Sequence, residues 1–148
     1  TAVLRVDPGP QPSADASLGS GVIPAGAWKW QHGVQAHDGL IYCIPRSAEQ
    51  VLRIDPLGGV VELFGALGGG TRKWQQGVLA PDGLIYAAPA DAPRALLIDP
   101  LLDTTYEEGP TMIGDRKYAG LVLVPSGAVY AVPARASQLL HFGTPRDR

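Results

Sequence analysis

The segment Lys29-Trp30-Gln31-His32-Gly33-Val34-Gln35-Ala36-His37-Asp38-Gly39-Leu40-Ile41-Tyr42 returns as Lys73-Trp74-Gln75-Gln76-Gly77-Val78-Leu79-Ala80-Pro81-Asp82-Gly83-Leu84-Ile85-Tyr86. It returns again, more diverged, as Lys117-Tyr118-Ala119-Gly120-Leu121-Val122-Leu123-Val124-Pro125-Ser126-Gly127-Ala128-Val129-Tyr130. The spacing is constant (73 − 29 = 44 and 117 − 73 = 44). A fixed period of this size constrains the chain to a stack of similar units, each burying its apolar face against the next.

Each unit reads as short strands joined by tight turns. Gly77 to Ala80 is an apolar run, Pro81-Asp82-Gly83 carries turn chemistry, and Leu84 to Ala88 resumes an apolar run. Two such runs flanking Asp-Gly predict a β-hairpin. Asp38-Gly39 and Ser126-Gly127 stand at the same place in the other units. Proline then closes the second strand (Pro45, Pro89, Pro133), because it cannot donate to a ladder. A third strand follows at Val51 to Ile54, Ala95 to Ile98 and Leu139 to Phe142, and two of these stop at Asp-Pro (Asp55-Pro56, Asp99-Pro100). Val3 to Pro8 repeats that third strand from a preceding unit, at a larger offset (51 − 3 = 48). A fourth strand is expected at Val60 to Phe64 and Thr104 to Glu107, with a poor counterpart near Ala16 to Ile23. No window offers a capped helical period; proline (14) and glycine (19) interrupt too often.

Four short antiparallel strands per 44 residues are the signature of a β-propeller blade. The expected fold is therefore all-β, about three four-stranded antiparallel blades forming part of a larger ring. Residues 1–148 read as one propeller segment: 1–28 a leading strand and a Gly/Pro/Ser-rich connection, 29–72 the first repeat, 73–116 the second and 117–148 an incomplete third. An immunoglobulin-type sandwich is the alternative, but sandwiches do not repeat their strands at fixed spacing.

Composition narrows the function classes. An apolar fraction of 45% supports a packed core. The net charge of −2 lacks the basic excess that nucleic-acid binding requires. One cysteine, Cys43, makes neither an internal disulfide nor a multi-cysteine zinc site. No apolar run reaches the roughly 18 residues of a membrane-spanning helix, and no signal peptide is visible. The chain begins at Thr1, so it is expected to be processed or to be a segment of something longer. The sequence names no compartment, and no cofactor or metal is expected.

The pattern Lys-Trp-x-x-Gly-Val-x-Ala-x-Asp-Gly-x-Ile-Tyr-x-x-Pro, followed by Val-Leu-x-Ile-Asp-Pro, resembles blades of NHL- and YVTN-type β-propellers, and especially tandem repeats of algal and protist propeller proteins. The likeness covers Lys29 to Thr144 and part of the N-terminal strand. It implies a disc of radial sheets with the first strand innermost, serving mostly as a binding platform, and it allows an accessory role in a large organellar complex. Propellers of similar shape include gluconolactonase-like enzymes, which hold a metal on inward carboxylates with asparagine among the ligands. This chain has no asparagine, and its expected innermost strands (Gly33 to Ala36, Gly77 to Ala80, Leu121 to Val124) carry no acid. That departure argues against a lactonase-like hydrolase.

Closed propellers usually need four to eight blades. Three units and a leading strand leave terminal blade faces bare, and such faces attract partners. Partner proteins or further blades are expected to cover them. Three arrangements stay open: a longer chain, a homodimer joining two copies into about six blades, and a wedge against another subunit.

The candidate binding residues precede each first strand: Trp28, Lys29 and Trp30; Arg72, Lys73 and Trp74; Arg116, Lys117 and Tyr118. Recurring round one face, these cations and aromatics suit an anionic peptide, a sugar acid or a phosphate, so a binder of carbohydrate or anionic small molecules is the alternative function. The competing reading is that the aromatics wedge between blades and the lysines pair with acids or carbonyls, and recurrence in every unit favours it, because a residue needed for blade packing must appear in each blade. His32 and Gln76 mark where the copies disagree. His32 is expected to line the channel and His37 to sit in a turn, their spacing matching no zinc motif. Asp7, Asp55 and Asp99 are expected to cap the turns that leave the third strands. No catalytic arrangement is read, because Ser126 lies in a hairpin turn without a nucleophile-elbow context. The leading functional expectation is a non-enzymatic protein-interaction or scaffold module.

Overall fold

A computed structural model describes residues 2–10 and 13–143; Thr144, at the end of the repeat likeness, lies outside them. Thirteen strands and no helix occupy the described residues. Strands β3 (Trp30–Gln35), β4 (Ile41–Pro45), β5 (Val51–Asp55) and β6 (Val60–Phe64) form one four-stranded sheet in chain order, the first blade. Strands β7 (Trp74–Leu79), β8 (Ile85–Pro89), β9 (Ala95–Asp99) and β10 (Thr104–Glu108) form the second. Strands β11 (Tyr118–Leu123), β12 (Val129–Pro133) and β13 (Leu140–Phe142) form a third blade with three strands among the described residues. Strands β1 (Val3–Asp7) and β2 (Ser13–Leu18) pair as a leading hairpin. Every pairing is antiparallel. The chain thus builds β-propeller blades, two of them four-stranded.

Local chemistry explains the strand limits. The Asp38 carboxylate accepts the Leu40 N–H at 2.9 Å and the Tyr42 hydroxyl at 2.8 Å; Asp82 does the same for Leu84 and Tyr86. The glycine that follows takes φ near +82° in the first blade and +87° in the second, a left-handed turn that suits glycine. Asp7, Asp55 and Asp99 each accept backbone N–H groups two or three residues on, capping the turn after the third strand.

Two details differ from the sequence reading. The first strands begin three residues early, at the aromatic, because an irregularity lets Trp30 pair with Pro45 and His32 with Ile44. The fourth strand of the leading unit is Ser13–Leu18 rather than a segment near Ala16 to Ile23. Its apolar positions are the small Ala14 and Ala16 and then Leu18, a weak strand signal, and its antiparallel pairing with β1 holds it in place.

The core lies between blades. Val34, Tyr42, Ile44 and Val51 of the first blade pack against Trp74, Ile85, Ala87, Leu96 and Ile98 of the second. Ala80, Tyr86, Ala88 and Leu97 of the second pack against Tyr118, Leu121, Val129, Ala131 and Leu140 of the third. The leading hairpin offers Val3 and Leu18 to Leu52, Ile54 and Val61. The first strands β3, β7 and β11 lie side by side, so residues at their heads share one end of the stack.

Candidate functional site

The residue ahead of each repeated lysine has an unusual backbone. Trp28, Arg72 and Arg116 take φ of 53°, 51° and 47°, a left-handed conformation that bulky residues rarely adopt. The chain reverses there, and the next carbonyl turns toward the loop between the second and third strands. Lys29 O accepts the N–H groups of Arg46, Ser47 and Ala48; Lys117 O accepts those of Ala134, Arg135 and Ala136. In the second blade Lys73 O accepts Ala90 and Ala92 N–H, and Arg72 O takes Asp91.

The lysine side chains do not form an open ring of cations. Lys73 and Lys117 are buried. Lys73 Nζ donates to Ala48 O at 2.7 Å and Gly68 O at 2.5 Å. Lys117 Nζ donates to Ala90 O at 2.9 Å and Gly114 O at 2.8 Å. Ala48 and Ala90 belong to the preceding blade, so each lysine fastens its blade to the one before. Burial lowers both lysine pKa values from the usual 10.5, while acids nearby (Glu49 and Glu107 for Lys73; Asp91 and Asp115 for Lys117) pull the other way. Lys29 is half-buried and has no hydrogen-bond acceptor for Nζ among the described residues; its ammonium lies 5.9 Å from the Trp30 ring centroid.

The aromatics are anchored too. Trp30 Nε1 donates to Gln50 O at 2.9 Å, Trp74 Nε1 to Arg94 O at 2.8 Å and Tyr118 Oη to Gln138 O at 3.0 Å. Each bond ties the head of a first strand to the loop before the third strand. Trp28 differs: it is 73% exposed, with the Arg46 guanidinium 4.6 Å from its ring centroid. Arg72 pairs with Asp91 at 3.1 Å, and the same aspartate accepts the Arg116 N–H at 2.8 Å, so Asp91 bridges two blades.

His32 and Gln76 occupy one repeat position and do one job. His32 Nδ1 accepts the Gly77 N–H at 3.3 Å, and Gln76 Oε1 accepts the Leu121 N–H at 3.0 Å. Each reaches the first strand of the next blade. The third copy is Gly120, where an added Cβ would overlap Gln76 Oε1. The third copy therefore differs in leaving room for the side chain that reaches over it. His37 is exposed beside the hairpin turn and His141 is exposed on β13, where its ring lies 5.6 Å from that of Tyr130.

Sequence reasoning missed Asp91, Arg46, Arg53 and Arg135. Arg53 of the first blade pairs with Glu62 at 2.5 Å and, across the seam, with Asp103; Arg135 pairs with Asp115 at 2.7 Å. Arg53 recurs with the same charge only as Arg5 of the leading strand, and the other three do not recur, so they do not stand out from the repeat. Among the described residues no three His, Cys, Asp or Glu side chains group to hold a metal.

The third blade has an open face. Its Val122, Val132 and Leu139 are 49%, 45% and 61% exposed. Each stands 44 residues after a second-blade residue that is buried or half-buried (122 − 44 = 78, 132 − 44 = 88, 139 − 44 = 95).

No protein-family model and no curated protein matches this chain. Solved structures do. Virginiamycin B lyase from Staphylococcus aureus matches with a TM-score of 0.69 at 12% identity, over 98% of this chain and 49% of that one. Streptogramin B lyase matches with a TM-score of 0.67 at 10% identity, over 91% and 45%. Hydrazine synthase of Kuenenia stuttgartiensis matches with a TM-score of 0.60 at 17% identity, over 84% and 35%. The chain thus spans half or less of the length of these structures, and at such identities the likeness is one of fold: an antiparallel β-propeller architecture.

Proposed function

We propose that this chain is a non-enzymatic β-propeller scaffold of the NHL/YVTN-like type, which holds protein partners or further blades on its open blade faces as an accessory part of a larger assembly. The observation that supports this reading is the third blade's exposed apolar face, the counterpart of surfaces that the first two blades bury. Contiguous apolar surface of this kind marks an interaction site. Lys73 and Lys117 are engaged in holding blades together, which removes two of the three repeated lysines from a ligand site. Sedimentation velocity of the purified chain tests the reading. It predicts self-association or aggregation unless a partner is added; a monodisperse species at the chain mass of 15.5 kDa at high concentration refutes it. A stoichiometric bound metal would instead turn the reading toward an enzyme.

A second reading is a binder of carbohydrate or anionic small molecules at the first blade. Trp28 is exposed under Arg46, and Lys29 is half-buried without an acceptor. Lys29 also lines, with Trp30, Ser47, Glu49 and Gln50, a cavity of about 430 Å³. An aromatic face beside two cations suits a sugar acid. Calorimetric titration with glucuronate should give a saturable heat that Trp28→Ala abolishes; no heat with the unaltered chain removes this reading.

A further inference from the structure

We infer that the open face of the third blade is a docking face for one more blade of the same kind: a four-stranded antiparallel sheet whose first strand starts with a lysine followed by an aromatic. The inference rests on the scaffold reading and specifies its partner.

Position-by-position comparison carries it. The faces that the first and second blades turn toward the next blade hold Val34, Tyr42, Ile44 and Val51, then Val78, Tyr86, Ala88 and Ala95. Tyr42, Ile44 and Val51 are fully buried, as are Ala88 and Ala95, with Val34 and Tyr86 at 9% exposure. The third blade repeats the set as Val122, Tyr130, Val132 and Leu139, of which all but half-buried Tyr130 are exposed. A face built to the same plan as two buried ones continues an established interface.

The backbone acceptors repeat as well. At the first seam Lys73 donates its N–H to Arg46 O at 2.8 Å and its ammonium to Ala48 O. At the second, Lys117 donates its N–H and its ammonium to Ala90 O, at 3.1 and 2.9 Å. Ala134 and Ala136 are the third-blade copies of Arg46 and Ala48 (134 − 88 = 46, 136 − 88 = 48), and their carbonyls accept no hydrogen bond among the described residues. A lysine arriving at the head of a neighbouring first strand fits that loop. Lys29 shows the converse: among the described residues its ammonium finds no acceptor.

Side-chain size sets a further condition. Ile44 faces Gly77 at the first seam, while at the second Leu121 packs over the second-blade face that carries Ala88. Large meets small at both, in opposite senses. Val132 projects from the third blade, so the docking blade must present a small residue opposite it. Gly120 lacks the side chain with which His32 and Gln76 reach across, so the third seam is held by apolar contact and the lysine rather than by that bond.

The test extends the full chain after Gly143 with a copy of residues 100–116 and then of residues 73–108, which supplies a blade bearing Lys73, Trp74 and Gly77. Amide hydrogen exchange is read in β11 and β12. Docking predicts exchange slowed about tenfold or more relative to the unextended chain. The protection should be lost on Val132→Asp in the host and weakened by Lys73→Met in the added copy. Val132→Asp in the unextended chain should leave its melting temperature unchanged, since the side chain is exposed there. Exchange unaltered by the added blade, whether that blade folds or not, overturns the inference. The sedimentation result stands apart: a chain that self-associates but does not dock the added blade keeps the scaffold reading and loses this one, and a docking blade on a strictly monomeric parent does the reverse.

Discussion

Gly77 tests whether the blades are held by shape at their seams. A Cβ added there would stand 2.6 Å from Ile44 Cδ1, 2.9 Å from Ile44 Cγ1 and 3.0 Å from Val34 Cγ2. Carbon atoms in packed interiors sit about 3.5–4.0 Å apart, so the overlap approaches an ångström. Ile44 is fully buried, and a packed core gives it no free rotamer to move into. Overpacking of this kind costs about 1–3 kcal/mol. Reduced freedom of the unfolded chain returns about 0.4–1 kcal/mol for glycine to alanine, which leaves Gly77→Ala destabilised by about 1–2 kcal/mol. Ile44→Ala alone opens a cavity and costs about 2–5 kcal/mol. In the double variant the new methyl enters the space that Ile44 vacates, so the two penalties must fall short of their sum by about 1–2 kcal/mol.

Equilibrium urea unfolding followed by tryptophan fluorescence measures all four corners of that cycle, with Trp74 in the same apolar cluster as a reporter. A loss of 1 kcal/mol corresponds to about 2–4 °C in melting temperature for a chain of this size. Gly33→Ala is the control. It occupies the same repeat position, but its added Cβ meets Ile41 Cγ2 at 3.3 Å and Cys43 Sγ at 3.9 Å, both within its own sheet; its effect should stay within about 0.5 kcal/mol. A neutral Gly77→Ala, or a double variant additive within about 0.5 kcal/mol, would refute seam complementarity.

Lys73→Met withdraws the donor from Ala48 O and Gly68 O and should cost about 1–3 kcal/mol, whereas Lys29→Met should be near neutral by the same urea assay; equal effects would contradict the fastening role. Burial, then the hydrogen bond to Asp38, raises the Tyr42 pKa above its usual 10.0. Its stabilising contribution is therefore full below about pH 10 and falls as pH rises beyond it, because only the unfolded state ionises there. The stability difference between the native chain and Tyr42→Phe should shrink above pH 10, a comparison in which Lys73 and Lys117 cancel; a constant difference would be wrong for a raised pKa. Burial pushes the Cys43 thiol up to about 11, so iodoacetamide at pH 8 should react far more slowly with the folded chain than with the urea-unfolded one, and matching rates would place the thiol in water.

The repeated turns and strand ends were readable because each depends on residues within a unit. Asp-Gly turns a hairpin, proline ends a ladder and Asp-Pro caps a turn, whatever lies next door. The lysine–aromatic motif recurred visibly, but its role did not, for a physical reason. The partners of Lys73 and Lys117 are backbone carbonyls at Ala48, Gly68, Ala90 and Gly114, and every residue type supplies a carbonyl, so the bond leaves no mark in the sequence. The left-handed turn at Trp28, Arg72 and Arg116 was hidden likewise, since no glycine signals it.

What distinguishes one unit from another belongs to the seams. Ile44 lies across from Gly77, and the repeat carries that offset (77 − 44 = 33) to Ala88 and Leu121 (121 − 88 = 33). The exchange of large for small is visible once the facing positions are known and looks like random divergence before that. Gly120 follows the same rule: the Gln76 side chain occupies the space above it, and a larger residue there would have to displace that side chain from its bond to Leu121. Variation between these repeats is therefore mainly a record of which neighbour each unit meets. On the docking proposal Val132 and Leu139 belong to that record, and their exposure is what one more blade would remove.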